Sequence, residues 1–163
     1  MKKINLLIST FFGYGYLTKI PGTVTSLVTA VFIYIAYEYL GYTDLKFSII
    51  FFSLLFFYSF YAVKDAESEF KNKDPRQIVI DEVLGQTMPL ILLSYLNQTN
   101  QLNMQIEIYY VLSFVFFRFF DILKPFPVSY FDKNFKNYFW IIMDDIMAGL
   151  YSMLSIYLIS LKF

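Results

Sequence analysis

Residues 139–151 read FWIIMDDIMAGLY, two adjacent carboxylates (Asp144 and Asp145) inside an otherwise apolar run. Continued to 161, this run is long enough to cross a bilayer as a helix, which takes about 20 mostly apolar residues. A helix is the expected form, because hydrocarbon leaves a backbone only itself to bond to. Four further apolar stretches lie upstream, at 23–40, 47–63, 78–96 and 108–123. The first two of these read as ready spans. The stretch 78–96 carries Asp81, Glu82 and Pro89, and 108–123 is short and ends in Arg118 and Asp121, so both are weaker as spans. Long continuous runs argue against a β-barrel, which needs short alternating strands. The expected fold class is all-α: a polytopic membrane helical bundle of about five membrane-associated helices, forming a single domain over residues 1–163.

Composition agrees. Hydrophobic residues make up 58% of the 163-residue chain and charged residues 16%, against about 25% charged in a soluble domain. A small soluble domain has too much surface for its volume to hide that apolar content. Basic and acidic residues balance at 13 each, which argues against a nucleic-acid partner. The chain has no cysteine and no histidine, so disulfides, thiolate chemistry, His-ligated zinc and any Ser-His-Asp triad are excluded. No cleavable signal peptide is expected, because Gly13, Gly15, Pro21 and Gly22 interrupt the region where its apolar core would lie. Tyr14, Tyr16, Tyr42, Tyr130, Tyr138 and Trp140 read as interfacial anchors.

If all five stretches span, the loops alternate between two sides. One side holds Lys2, Lys3, Lys19, Lys64, Lys71, Lys73, Arg76, Arg118, Lys124, Lys133 and Lys136, and the other only Lys46 and Lys162. The positive-inside rule makes the first side cytoplasmic, with the N-terminus inside. The same layout brings Pro21–Gly22–Thr23, Asp81, Glu82, Arg118, Asp121, Asp144 and Asp145 to one depth, at the cytoplasmic ends of their helices.

Charges inside apolar helices are costly, at roughly 2.5–3.5 kcal/mol each near mid-helix, and crowded carboxylates repel. A bound divalent cation resolves both. Oxygen-only ligands point to a hard ion, Mg²⁺ or Mn²⁺. The candidate ligands and catalytic residues are Asp81, Glu82, Asp121, Asp144 and Asp145. Arg118 and Lys124 suit a phosphate, and the helix start at "KIPGTVTSL", with Lys19 and Thr23, adds an anion site. Asp132, in a polar loop, is a supporting candidate; Asp65 reads as another loop residue. Each piece also has a plainer reading. Asp81 and Glu82 suit a helix N-terminus, Arg118 and Asp121 at i, i+3 can form an intrahelical pair, and Pro21 can simply begin a helix.

Four ordered blocks carry a resemblance: "GYGYLTKIPGTVTSL", "DPRQIVIDEVLGQ", "FRFFDILKPFPVSYFDKN" and "IMDDIMAGLY", together a little over a third of the chain. The sequence resembles the phosphatidylglycerophosphatase A family. The resemblance implies a Mg²⁺-dependent lipid phosphatase of phospholipid synthesis. It converts phosphatidylglycerophosphate to phosphatidylglycerol and phosphate, in a bacterial inner (cytoplasmic) membrane. The attacking group is either a metal-activated water or a carboxylate that forms an aspartyl-phosphate. Two departures stand out. Asn137, Tyr138, Phe139 and Trp140 occupy a segment that is usually glycine-rich, and Thr25 stands where glycine is common. Rival readings are a phosphatase of another phosphorylated lipid, a cation transporter using the intramembrane acids, and a non-catalytic scaffold. A transporter does not account for Arg118, Lys124 and a helix N-terminus at the same depth.

Overall fold

The computed structural model describes residues 2–41, 44–70, 75–126, 128–130 and 137–162; Asp132 and the basic residues Lys71, Lys73, Lys133 and Lys136 lie outside that set. Every regular element among the described residues is helical. A short helix α1 (Lys2–Ser9) and a 3-10 turn (Tyr14–Tyr16) lead into five long helices. These are α2 (Pro21–Glu38), α3 (Leu45–Glu67), α4 (Ile80–Gln98), α5 (Ile106–Leu123) and α6 (Tyr138–Lys162).

Local chemistry explains the boundaries. Pro21 occupies the first turn of α2, where its fixed φ helps and its missing N–H costs nothing. The Asp44 carboxylate caps α3 by accepting from the Lys46 N–H at 2.8 Å. At the end of α5, Lys124 takes a left-handed φ of 44°, and its N–H donates to the Phe120 carbonyl at 2.9 Å, closing the last turn. Helix α3 runs on to Glu67, so Asp65 is helical where a loop was expected.

Contacts at both ends set the helix directions. At one end Asn103 Nδ2 donates to the Ser160 carbonyl at 3.0 Å, and Asn97 Nδ2 donates to the Tyr37 hydroxyl at 3.3 Å. At the other, Lys64 Nζ sits 5.5 Å from the Tyr138 ring centre, and Arg118 Nη1 reaches Ser26 Oγ at 3.5 Å. Helices α2, α4 and α6 therefore run one way and α3 and α5 the other. At the end where α2 begins and α5 finishes, Phe12, Leu17, Ile20, Leu123 and Phe126 are all exposed and form an apolar rim.

Helix α4 is central and packs against all four other long helices, most extensively against α6. Glycines permit that approach. A Cβ on Gly149 would lie 2.6 Å from the Gly85 carbonyl oxygen, and one on Gly85 would lie 2.5 Å from the Asp145 carbonyl oxygen and from the Phe117 ring. Small residues let helix backbones close in this way. Four residues after Gly85 stands Pro89, which has no N–H to offer that carbonyl. One apolar cluster around Val63, Leu84, Ile142 and Ile146 lies beside this crossing. A second, around Leu90, Leu93, Tyr109 and Ile156, fills the far end.

Two helices, α3 and α6, are long and apolar enough to cross a membrane, with mean hydropathies of 1.7 and 1.4 over their best windows. Helix α2, which the sequence also offered as a span, is 18 residues long and carries Gly22, Thr23, Thr25, Ser26 and Thr29 ahead of an apolar second half. Only 17% of the apolar window of α3 is buried, and Phe57 on it is 71% exposed. A helix that apolar and that bare is unsuited to water, which points to a membrane protein.

Helix α1 lies along α3 through a polar clasp. Asn5, which is buried, donates to Asp65 Oδ2 at 2.7 Å and accepts from the Tyr58 hydroxyl at 2.6 Å. Asn5→Ala strips partners from both and is expected to cost about 1–3 kcal/mol, read as a lowered thermal midpoint in detergent.

Candidate functional site

Asp81 and Glu82 occupy the first turn of α4, whose N-cap, Val79, provides no side-chain acceptor. Acids there face the free N–H groups of the helix start. The Val79 N–H donates to the Ser9 carbonyl at 2.8 Å, which ties the entry of α4 to α1. Asp145 arrives from the second turn of α6, across the glycine contact. The three side chains each bring a carboxylate oxygen into a group whose members all lie within 4.8 Å of one another. Asp81 and Asp145 are buried, and Glu82 is half-buried with its Oε2 sealed away. Among the described residues, neither Glu82 Oε2 nor Asp145 Oδ2 has a hydrogen-bond partner. The Glu82 side chain lies directly against Gly22, where any Cβ would collide with its carboxylate.

Crowded acids with unmet buried oxygens are unfavourable on their own. Three carboxylates held by two rigid helices, with no softer donor present, fit a hard divalent cation. That donor set is the physical case for a metal at this point.

The other two acids are engaged by cations. Arg118 Nη1 meets Asp121 Oδ2 at 2.7 Å, one turn apart on α5. Asp121 also lies near Asp145. Lys124 Nζ meets Asp144 Oδ2 at 2.7 Å. Asp144 follows from its place on the helix: it lies about 100° around α6 from Asp145 and turns toward the end of α5. The five acids thus form a trio and two ion pairs. Lys124→Met removes one partner of the Asp144 carboxylate, and breaking a shielded pair this way is destabilising. Adding Asp144→Asn is expected to recover much of the loss, with a coupling on the order of 1 kcal/mol in a double-mutant cycle read by thermal denaturation.

Lys19 is exposed and Thr23 half-buried. Among the described residues neither is bonded to the acids. Thr23 lies in the first turn of α2, whose N-cap residue, Ile20, makes no side-chain cap, so the N–H groups there remain available to an anion. The structure adds residues that charge-based reading passes over. Gln86 is wholly buried one turn beyond Glu82, and Thr25 and Ser26 are buried on α2, where Ser26 Oγ meets Arg118 Nη1. Their signal in the sequence was spacing alone, Gln86 falling four after Glu82 and Ser26 four after Gly22.

The family model for phosphatidylglycerophosphatase A matches residues 7–160. A phosphatidylglycerophosphatase A of Haemophilus influenzae is 32% identical, over 98% of this chain and 93% of that protein. A Bacteroides thetaiotaomicron protein, provisionally named a phosphatidylinositol-3-phosphatase, is 33% identical over 93% of this chain and 90% of its own length. A phosphatidylglycerophosphatase A of Escherichia coli is 28% identical over 90% of this chain and 77% of its length. No solved structure matches the chain.

Proposed function

Because the chain belongs to the phosphatidylglycerophosphatase A family, a family of phosphatase hydrolases, we propose that it hydrolyses phosphatidylglycerophosphate to phosphatidylglycerol and phosphate with Mg²⁺ as cofactor. The observation that carries this reading is the trio of Asp81, Glu82 and Asp145 gathered beside Arg118. In this proposal the trio holds the ion. When bound, Mg²⁺ supplies charge neutralisation at the phosphoryl oxygens and activation of the attacking group.

The remaining residues bind and orient. Arg118 offers a planar set of donors to the phosphate, and Asp121 holds its guanidinium in place through the 2.7 Å pair. Lys124 brings a second positive charge, steered by Asp144. The uncapped N-terminus of α2, with Thr23, faces the same region, and Lys19 adds charge at its approach. Asp121 and Asp144 are thus assigned as positioning residues for the cations rather than as direct ligands.

We place the site at the cytoplasmic face of a bacterial inner membrane, in a bundle whose five long helices all cross it. The alternating helix directions support this. So does the gathering of Lys2, Lys3, Lys19, Lys64, Arg76, Arg118 and Lys124 toward the site end, as the positive-inside rule requires.

The test is phosphate release by the purified protein in detergent, with Mg²⁺ and with chelator. Phosphatidylglycerophosphate and phosphatidylinositol 3-phosphate are offered separately, because the name of the Bacteroides relative favours the second lipid. Mg²⁺-dependent release with preference for phosphatidylglycerophosphate is expected. Preference for the inositol lipid replaces the substrate and keeps the site. No release from folded protein with either lipid refutes the reading.

A further inference from the structure

Gln86 is 0% exposed, and among the described residues neither its Nε2 nor its Oε1 has a hydrogen-bond partner. Buried amides without partners are rare in native proteins and mark a missing ligand, water or ion. Other buried polar atoms share that condition, among them Thr25 Oγ1, Thr29 Oγ1 and Arg118 Nε.

Helix register brings these groups together. Helices α2 and α4 run the same way, and Gly22 touches Glu82. Four residues further along each helix, Ser26 and Gln86 stand level. Independently, the Phe117 ring of α5 lies against Gly85 of α4, which brings the neighbouring Arg118 and Gln86 to the same level of the bundle. Arg118 Nη1 reaches Ser26 Oγ at 3.5 Å, which closes the same ring of residues. Side chains lean toward the N-terminus of their helix. Gln86, Thr25 and Thr29 therefore lean back toward the carboxylates, whereas Arg118, on the antiparallel α5, leans inward to meet them.

The donor set defines the ligand. Arg118 Nε–H, the Gln86 amide and the Thr25 hydroxyl all offer hydrogens, and among the described residues no carboxylate is known to claim any of them. With no carboxylate among these three groups, they suit an anion rather than a cation. We propose that Gln86 is a substrate-binding residue: its amide, with Thr25 and Arg118 Nε, receives the non-bridging phosphoryl oxygens of a phosphomonoester that point away from the acidic trio. This rests on the phosphatase reading above and adds a neutral floor to its phosphate pocket. Thr25 gives the floor a hydroxyl that a glycine there would lack.

The experiment compares wild type with Gln86→Leu, which keeps much of the volume and removes every donor. The readouts are kcat/KM on phosphatidylglycerophosphate, inhibition by inorganic phosphate with Mg²⁺, and the thermal midpoint without phosphate. The expected result is a fall in kcat/KM of about 10- to 100-fold, a matching rise in the inhibition constant for phosphate, and a midpoint equal to or above wild type. Folded Gln86→Leu with wild-type kcat/KM and wild-type phosphate inhibition overturns the proposal and leaves the amide to water. If Gln86→Leu does not fold, Thr25→Val decides by the same two kinetic readouts. Wild-type protein that releases no phosphate refutes the parent reading, an outcome distinct from an active wild type with an indifferent Gln86.

Discussion

Asp145→Asn is expected to cut Mg²⁺-dependent phosphate release by on the order of a thousandfold, with Asp81→Asn close behind, in protein that stays folded. The physical basis is the trio itself. Asp145 is the only member from α6, so its loss leaves a metal held from one helix alone. The effect on stability should have the opposite sign. Asp145 is crowded by Asp121 and Asp81, and a neutral amide relieves that repulsion. Without metal, the thermal midpoint of Asp145→Asn should equal or exceed that of wild type. Mg²⁺ should raise the wild-type midpoint, as any ligand of the native state does, and leave that of the variant unmoved. A variant within tenfold of wild-type activity removes Asp145 from the metal. A variant that simply unfolds is the outcome a non-catalytic scaffold predicts.

Gly85→Ala is expected to damage both fold and activity. The new methyl group would sit 2.5 Å from the Asp145 carbonyl oxygen and from the Phe117 ring, and backbone cannot swing aside as a flexible side chain can. Overpacking of this kind costs about 1–3 kcal/mol, read as a lower thermal midpoint. Activity should fall further than stability alone explains, because the atom pushed away belongs to Asp145. Gly149→Ala is the comparison. Its methyl would meet the Gly85 carbonyl at 2.6 Å and the Met88 sulfur at 3.1 Å, farther from the acids. Equal activity losses in the two variants would show that the crossing matters only for stability.

The five long helices were legible in the chain because each is a continuous apolar run bounded by polar loops, and α5 ends at residue 123 as its run does. Helix α1 was not. Eight residues ending before Gly13 carry too little pattern, and its partner, the Asn5–Asp65–Tyr58 clasp, is made of residues far apart in sequence. The convergence of the acids at one end was legible from loop alternation. Their division was not, since which of Asp144 and Asp145 faces the trio depends on the rotation of α6, set by Gly85 and Gly149. Gln86 escaped for a different reason: the reading followed charge, a neutral amide carries none, and only its burial reveals that it lacks a partner.

The apolar rim of Phe12, Leu17, Ile20, Leu123 and Phe126 has a kinetic consequence. In the membrane placement proposed above, such a rim would hold the acids at the level of the phosphates already in the leaflet, so that a lipid would reach them by sliding sideways without leaving the bilayer. The concentration that governs turnover is then a surface density. The rate should saturate with the mole fraction of substrate lipid in a vesicle and stay constant when inert lipid and substrate are diluted together into a larger volume of water.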